Sequence, residues 1–315
     1  MSQDIKELVP GLQSEVLLAP YSWWRIGGKA DYFVEVQNVN HLCDILPVLR
    51  RLELPLCNIG QGTNILINDA GFRGCTIRIG NGMSGLELNG DKIIVESGCW
   101  VPRLALFAAR HGLSGLEHTI GIPASLGGLV CMNGGSQRKN IGELIESVTV
   151  YTPEGNLRTD LASECGFGYR KSRYQDSGDI VLSATLNFEC KRPYPEQRME
   201  MLKIMCERNR KFPRKLPSCG SVFKSSPELF DAYGPPGKVI EDLGFKGKVR
   251  GCIQVSSAHA NFIVNLGSGS SHDVLAMVRE IHDTVLAKTG ISMQPEFCFL
   301  DANLGIISGE AAVDV

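Results

Sequence analysis

The sequence predicts an α+β protein with a larger N-terminal domain over residues 15–192 and a smaller C-terminal α/β domain over 196–300. Three observations lead to this fold class. Short β-forming segments alternate with a few helical patterns throughout the first part. The segment 192–195 carries two prolines, which resist both helix and central strand and are typical of a linker. Beyond it lie a basic helix, a long apolar-patterned helix and further strands, and the small residues of 301–315 predict a flexible tail.

In the first domain, β-branched and aromatic residues in short runs predict strands. These predicted strands span 31–36, 56–59, 76–79, 92–96, 147–151, 157–159 and 180–188. The turn sequence at 152–155 predicts a hairpin between two of them. One helix is predicted after Asn40, which is a candidate N-cap, and another over 101–111, with Pro102 in its first turn and Gly112 at its end.

In the second domain, a basic helix is predicted over about 196–211, where Pro213 stops it. A strand is predicted over 261–265. A long helix follows over 271–288, with Ser271 as a candidate N-cap and Gly290 after its end. A final strand is predicted over 296–300.

Composition excludes several classes of protein. The chain has 315 residues, of which 43% are hydrophobic and 21% charged, as in globular proteins. The net charge of −2 does not indicate a nucleic-acid partner. No apolar run approaches the roughly 20 residues of a membrane helix, and the N-terminus lacks the apolar core of a signal peptide. The 11 cysteines form no C-x-x-C pair, which predicts reduced thiols, no zinc site and a cytoplasmic location.

Two glycine-rich loops, 59–67 and 121–128, are the most informative segments of the chain. Glycine lets backbone N–H groups approach a pyrophosphate, because no Cβ is in the way. Neither loop is a Rossmann fingerprint, since Ile65 stands where a third glycine would be needed. Each loop alone is more often a structural turn, but together they suggest another type of flavin-binding fold. The predicted cofactor-binding residues are Gly60, Gln61, Gly62, Thr63, Asn64, Ile122, Pro123, Ser125, Gly127 and Gly128.

Seven motifs in order resemble the UDP-N-acetylenolpyruvoylglucosamine reductase (MurB) family. They are Trp-Arg-Ile-Gly-Gly-Lys-Ala-Asp at 24–31, Gly-Gln-Gly-Thr-Asn at 60–64 with Gly-Phe-Arg-Gly at 71–74, Gly-Ile-Pro-Ala-Ser-Leu-Gly-Gly at 121–128, Phe-Gly-Tyr-Arg-Lys-Ser at 167–172, Gly-Ser-Val-Phe-Lys at 220–224, His-Ala-Asn-Phe-Ile-Val-Asn at 259–265 and Pro-Glu at 295–296. The resemblance covers about residues 21–300. It implies a PCMH-type (vanillyl-alcohol-oxidase-like) FAD-binding domain, non-covalent FAD and NADPH as hydride donor. The implied reaction reduces UDP-N-acetylglucosamine enolpyruvate to UDP-N-acetylmuramate in peptidoglycan synthesis.

The resemblance also implies three catalytic residues, Arg170, Ser221 and Glu296. Hydride addition to the enolpyruvyl group leaves negative charge on the adjacent carbon and carboxylate, and a guanidinium suits such a planar anion. Ser221 would donate the proton that this carbon then takes up. Glu296 would be neutral or paired with a cation, because a substrate carboxylate repels a free carboxylate. Without the resemblance, these residues are an ordinary surface arginine, turn serine and strand-end charge.

Substrate contacts are predicted at Tyr169, Lys215, Lys224 and Ser225. For Tyr169, core packing and lining of the site remain equal alternatives. The basic segment 208–215 is either a solvated face or a source of phosphate contacts from Arg214 or Lys215 to UDP or NADPH, which would bind alternately at one site. For His259, which precedes an apolar strand, packing is favoured over an acid–base role.

Some positions depart from the family pattern. Residues 133–139 read Asn-Gly-Gly-Ser-Gln-Arg-Lys where Asn-x-Gly-Ala-Tyr-Gly is typical, and Ser225 stands in place of asparagine. The short spacing between Arg170 and Ser221 indicates the shorter subclass of the family. Two alternatives remain: a divergent flavin-dependent reductase of another nucleotide sugar or unsaturated acid, and a non-catalytic nucleotide-sugar or flavin-binding protein. The expected assembly is a monomer or a weak oligomer.

Overall fold

The structure, a computed structural model, describes residues 2–314 and confirms the predicted α+β class. The strands are β1 (Gln13–Leu17), β2 (Lys29–Val36), β3 (Leu56–Ile59), β4 (Ile65–Ile67), β5 (Phe72–Ile79), β6 (Leu86–Asn89), β7 (Lys92–Glu96), β8 (Leu113–Ser114), β9 (Ile145–Tyr151), β10 (Leu157–Leu161), β11 (Ile180–Asn187), β12 (Cys190–Lys191), β13 (Val249–Arg250), β14 (Ile253–Val255), β15 (Ile263–Asn265), β16 (Cys298–Asp301) and β17 (Gly305–Ser308). The α-helices are α1 (Ser2–Leu8), α2 (Val39–Arg51), α3 (Val101–Arg110), α4 (Leu126–Cys131), α5 (Tyr194–Lys211), α6 (Pro227–Tyr233), α7 (Pro236–Asp242), α8 (Ser271–Thr289) and α9 (Gly309–Asp314).

Two larger sheets form the N-terminal part. One has the order β1-β2-β5-β3, in which β5 runs parallel to both β2 and β3. The other is antiparallel, in the order β10-β9-β11-β7-β6. Helix α2 places Leu42, Ile45 and Leu46 in the core beside the first sheet, as its apolar spacing predicted.

The C-terminal part is joined to the N-terminal part through a shared sheet. Strand β4, which follows the first glycine loop, pairs in parallel with β16, and β17 extends that sheet on its other side. A core around α8 and the antiparallel strands β13-β14-β15 also takes in Trp24, Ile26 and Leu66 from the N-terminal part. The chain therefore encloses the space between its two glycine loops and its C-terminal segments.

Helix caps differ from the prediction by one or two residues. Asn38, not Asn40, caps α2, and its Oδ1 accepts from the N–H of His41 at 2.9 Å. Ser270, not Ser271, caps α8 and accepts from the N–H of Asp273 at 3.0 Å. The Ser271 hydroxyl instead donates to Asp69 at 2.8 Å. This hydrogen bond fixes the start of α8 against a turn of the N-terminal part.

Other predicted boundaries also move. The predicted 192–195 linker is shorter than expected, because Pro193 caps α5 and Pro195 occupies its first turn, where a missing N–H costs nothing. The predicted 301–315 tail is wrong for its described residues. Strand β17 pairs with β16, and the Val313 carbonyl in α9 accepts from Arg279 Nε at 2.7 Å. Small residues allowed this packing, although by themselves they predicted none.

Candidate functional site

A cavity of about 940 Å³ opens between the two glycine loops and the C-terminal segments. All ten predicted cofactor-binding residues line it. The three predicted catalytic residues, Arg170, Ser221 and Glu296, line it as well. Residues from five separate stretches of the sequence therefore line the same cavity.

The first loop, residues 60–64, connects β3 to β4. Gly62 has φ +65°, and a Cβ at this position would overlap the carbonyl oxygen of Tyr21. Within residues 2–314, no protein group accepts from the backbone N–H groups of 60–64. Unpaired amides at the edge of a cavity favour an anionic ligand such as a diphosphate. The residues of this loop therefore fit the pyrophosphate of FAD that the sequence predicted there.

The second loop, residues 121–128, contributes mainly its shape. Ser125 lies next to Gly60, where a Cβ would strike its hydroxyl. The N–H of Gly127 donates to the Ser97 carbonyl at 2.8 Å, so this amide is not available to a diphosphate. A Cβ at Gly127 would lie only 3.0 Å from the Cβ of Ser97. Gly127 is needed for close approach of this loop to the strand behind it.

Arg170 occupies a tight turn. The N–H of Gly168 donates to the Lys171 carbonyl at 3.0 Å, and the reverse bond measures 3.2 Å. Within this turn Arg170 has φ +53°, a left-handed conformation that costs a non-glycine residue about 1–2 kcal/mol. The guanidinium donates from Nε to Glu296 Oε1 at 2.6 Å and from Nη2 to the Gly135 carbonyl at 3.3 Å. The remaining N–H donors of a residue that lines the cavity are available to a ligand.

Glu296 forms an ion pair with Arg170. Of the two predicted alternatives, a neutral carboxyl or one paired with a cation, the structure shows the pair. The side chain of Glu296 is 17% exposed, and that of Arg170 is 21% exposed. Its N–H donates to the Val222 carbonyl at 2.7 Å, which fixes it beside the segment that carries Ser221. The ion pair joins residues 126 positions apart, so no local pattern could have predicted it.

The four predicted substrate residues do not line the main cavity. Tyr169 is 62% exposed, so the core-packing alternative is wrong. Its ring faces the guanidinium of Arg170, 5.3 Å from the ring centroid, and its hydroxyl accepts from the N–H of Ser225 at 3.4 Å. The N–H of Lys224 donates to the Gln294 carbonyl at 2.8 Å. Lys215 lines an adjoining cavity of about 470 Å³, and Arg214 borders both cavities.

Arg208 is a cavity residue that the sequence did not single out. Its side chain packs where a Cβ on Gly121 would be, and its guanidinium lies 4.9 Å from the ring centroid of Phe212. Its buried Nε has no acceptor within the described residues. Burial, helped by the nearby charge of Arg214, lowers the pKa of Arg208 to about 10. An unpaired, half-buried cation beside a cavity favours an anionic ligand.

His259 packs, as the sequence favoured. Its ring centroid lies 5.4 Å from that of Phe212 and 5.2 Å from that of Phe262. Its Nδ1 accepts from the N–H of Asn261 at 3.2 Å. Burial lowers the pKa of His259 to about 4, so the ring is neutral at pH 7.

All eleven cysteines are free thiols. Over residues 2–314, no three His, Cys, Asp or Glu side chains come together in a way that would hold a metal ion. Nor does any helix of that range have the length and apolar character to cross a membrane.

Comparisons with known proteins give the family. The family model "UDP-N-acetylenolpyruvoylglucosamine reductase, C-terminal domain" matches residues 212–300, and the model "FAD binding domain" matches residues 30–160. UDP-N-acetylenolpyruvoylglucosamine reductase 1 of Corynebacterium glutamicum is 40% identical over 287 residues, which are 91% of this chain and 85% of that protein. The enzyme of Halalkalibacterium halodurans is 36% identical over 89% of this chain and 91% of its own length.

A solved structure agrees with the sequence comparisons. The crystal structure of UDP-N-acetylenolpyruvylglucosamine reductase (MurB) from Thermus caldophilus superposes with a TM-score of 0.77 at 33% identity. The match covers 91% of this chain and 99% of that one. The predicted α+β fold class is therefore confirmed, with an FAD-binding domain followed by a smaller C-terminal domain. The chain belongs to the UDP-N-acetylenolpyruvoylglucosamine reductase (MurB) family of oxidoreductases.

Proposed function

We propose that this protein is an NADPH-dependent flavoenzyme that reduces UDP-N-acetylglucosamine enolpyruvate to UDP-N-acetylmuramate. One observation carries the proposal most directly. The Arg170–Glu296 ion pair and Ser221 line the same cavity as the two glycine loops. Residues 15–192 would hold FAD without a covalent bond, and residues 196–300 would bind the substrate. The expected assembly remains a monomer or a weak oligomer. The substrates of this early cell-wall step suggest a cytoplasmic enzyme.

The cavity residues support FAD as the resident group. The amides of 60–64 would hold its diphosphate, because they have no other acceptor within the described residues. Gly62 and Gly127 would allow the close approach of backbone that a Cβ prevents. When bound, FAD supplies the transfer of hydride from NADPH to the enolpyruvyl double bond.

Arg170 would stabilise the charge that develops on the substrate carboxylate. A guanidinium stays charged at any working pH and offers a planar fork of donors to two oxygens. Two of its donors are held by Glu296 and Gly135, so the side chain is oriented before the substrate binds. Preorganised donors of this kind are worth about 2.7–4 kcal/mol of barrier each.

Ser221 would donate the proton that the neighbouring carbon takes up. A serine hydroxyl is a weak acid, but the enediolate is a strong base, so a hydroxyl held close can serve. Within residues 2–314 the Ser221 hydroxyl has no fixed hydrogen-bond partner, which leaves it able to turn toward a ligand.

Glu296 would hold Arg170 and orient the reacting group. Its Oε1 is committed to the Arg170 Nε, and the ion pair offsets the repulsion that a substrate carboxylate would feel. Tyr169, Lys215, Lys224 and Ser225 would contact the nucleotide part of the substrate outside the main cavity. Lys215 borders the adjoining cavity, where an anionic group would find it together with Arg214.

The test is anaerobic flavin absorbance. Addition of NADPH should bleach the flavin, and addition of the enolpyruvyl substrate should restore its colour. In Ser221→Ala, bleaching should continue at nearly the wild-type rate and recovery should fail. If both half-reactions fell together, the proton-donor role would be wrong. Bleaching without recovery in the wild type would favour the alternative, a divergent reductase of another substrate. The structural argument for that alternative is the segment 133–139, called here the altered wall, which departs from the family pattern and whose Gly135 carbonyl accepts from Arg170.

A further inference from the structure

Each of the three proposed catalytic side chains stands on a backbone segment that is held by an asparagine from another part of the chain. Asn133 holds the turn of Arg170, Asn261 holds the segment after Ser221, and Asn64 holds Glu296. We propose that Asn64, Asn133 and Asn261 are positioning residues for the reaction. This inference rests on the proposed function, because it takes the roles of the three catalytic side chains from it.

Asn133 connects the altered wall to the turn of Arg170. Its side chain is buried, with Nδ2 donating to the Gly168 carbonyl at 2.8 Å and Oδ1 accepting from the N–H of Gly142 at 3.0 Å. Gly168 is the residue whose carbonyl also closes the turn around Arg170. The same wall supplies the Gly135 carbonyl that accepts from Arg170 Nη2. Asn133 therefore fixes the turn that carries Arg170, next to the segment whose Gly135 carbonyl accepts from the guanidinium.

The strained backbone makes this support necessary. Arg170 at φ +53° and Asn133 at φ +40° both lie in the left-handed region. A non-glycine residue keeps such a conformation only where its surroundings hold it there. Asparagine tolerates the left-handed region better than most residues, which explains its presence at position 133.

Asn261 holds the Ser221 segment as a strand would. Its Oδ1 accepts from the N–H of Phe223 at 2.9 Å, and its Nδ2 donates to the carbonyl of Phe223 at 2.9 Å. Its own carbonyl accepts from the N–H of Val222 at 2.9 Å. Three bonds from one buried residue therefore fix the two residues after Ser221, and Val222 in turn accepts from the N–H of Glu296.

Asn64 links the first glycine loop to Glu296. The sequence predicted it as a cofactor contact, but its Nδ2 donates to the Glu296 carbonyl at 3.1 Å. Its carbonyl accepts from the N–H of Cys298 at 2.9 Å, so it holds both sides of Phe297. The Asn64 side chain thus holds the backbone of Glu296, while within residues 2–314 no protein group accepts from the Asn64 N–H.

Asparagine suits all three positions because its amide carries an acceptor and two donors. Aspartate has the same shape but loses the donor when ionised, and its oxygen then faces a carbonyl oxygen. Protonation of the aspartate restores one donor. The Asn→Asp substitutions therefore remove the contact at neutral pH and return part of it at lower pH, with little change in volume.

The experiment compares Asn133→Asp, Asn261→Asp and Asn64→Asp with Asn265→Asp. Asn265 is the matched control: it is buried, its Nδ2 donates to the Trp24 carbonyl at 2.8 Å, and it holds none of the three catalytic segments. Asn133→Asp and Asn261→Asp should keep the rate of flavin bleaching by NADPH within about twofold of wild type, whereas Asn64→Asp, which lies in the loop assigned to FAD, is judged by the ratio of its reoxidation rate to its bleaching rate. In the three test variants, reoxidation by the enolpyruvyl substrate should slow at least tenfold, and in Asn133→Asp it should recover partly as the pH is lowered. The control should lower the melting temperature without separating the two half-reactions.

Three outcomes would overturn the proposal. Reoxidation within threefold of wild type in the test variants would show that the asparagines position nothing. An equal slowing of both half-reactions, or a separation of the half-reactions in Asn265→Asp as well, would show a general effect on folding. Where an aspartate variant does not fold, the same position is tested with serine, whose hydroxyl can still donate. The proposed function fails separately, since Ser221→Ala and Arg170→Lys would then leave reoxidation unchanged.

Discussion

Substitution of Arg170 by glycine and by methionine separates backbone strain from chemistry at one position. Both variants remove the guanidinium and its bonds to Glu296 and Gly135. Only glycine relieves the left-handed backbone at φ +53°. Relief is worth about 1–2 kcal/mol, and the extra freedom of glycine in the unfolded chain takes back about 0.5–1 kcal/mol. From the middle of each range, the glycine variant should be more stable than the methionine variant by about 0.7 kcal/mol.

The two variants should be equally impaired in chemistry. Loss of a preorganised donor typically costs about 10²–10³ in rate, so reoxidation by the enolpyruvyl substrate should fall by that factor in both. Bleaching by NADPH should stay near the wild-type rate. Urea unfolding measures the stability difference, and stopped-flow absorbance measures both half-reactions. A methionine variant as stable as the glycine variant would refute the strain argument. Reoxidation within threefold of wild type in either variant would refute the role of the guanidinium.

Further predictions concern the cofactor loops, the unpaired arginine and pH. Gly62→Val and Gly127→Val should lose bound flavin, which is measured as the ratio of absorbance at about 450 nm to that at about 280 nm. Stoichiometric FAD in both variants would contradict the assignment of the two loops to FAD binding. Arg208→Met should weaken binding of FAD or of the UDP substrate in fluorescence titrations, because the cavity then loses a cation whose Nε has no acceptor among residues 2–314. Arg198→Met, at an exposed position of the same helix that lines neither cavity, should change neither affinity. Burial lowers the pKa of His118 to about 4, so the unfolded chain binds more protons than the folded chain between about pH 6.5 and 4. The free energy of unfolding should fall by up to about 3 kcal/mol as the pH drops through that window. Asparagine at position 118 keeps an acceptor for the N–H of Ser136. In His118→Asn, urea unfolding at several pH values should therefore show a weaker dependence of this free energy on pH.

Periodicity gave most of the regular elements, because it depends on residues close in sequence. The predicted strands over 56–59 and 92–96 match β3 and β7 residue for residue. The helix with Pro102 in its first turn differs from α3 by one residue at its end. Caps moved by one or two positions, because a neighbouring polar residue such as Asn38 or Ser270 makes the bond equally well. The tail was mispredicted, because only contact with β16 and α8 gives its small residues a place to pack.

The sequence by itself determined which glycines and polar residues form the two loops, and the family resemblance pointed to Arg170, Ser221 and Glu296. Only the tertiary structure decided how they act together. It brings Arg170 to within 2.6 Å of a carboxylate 126 positions away and puts Lys215 in an adjoining cavity. It also leaves the Nε of Arg208, beside the main cavity, without an acceptor among the described residues. The physical reason is range: a pattern of neighbours constrains φ, ψ and amphipathic faces, whereas a charge pair or an asparagine clamp depends on segments that meet only after the chain has folded.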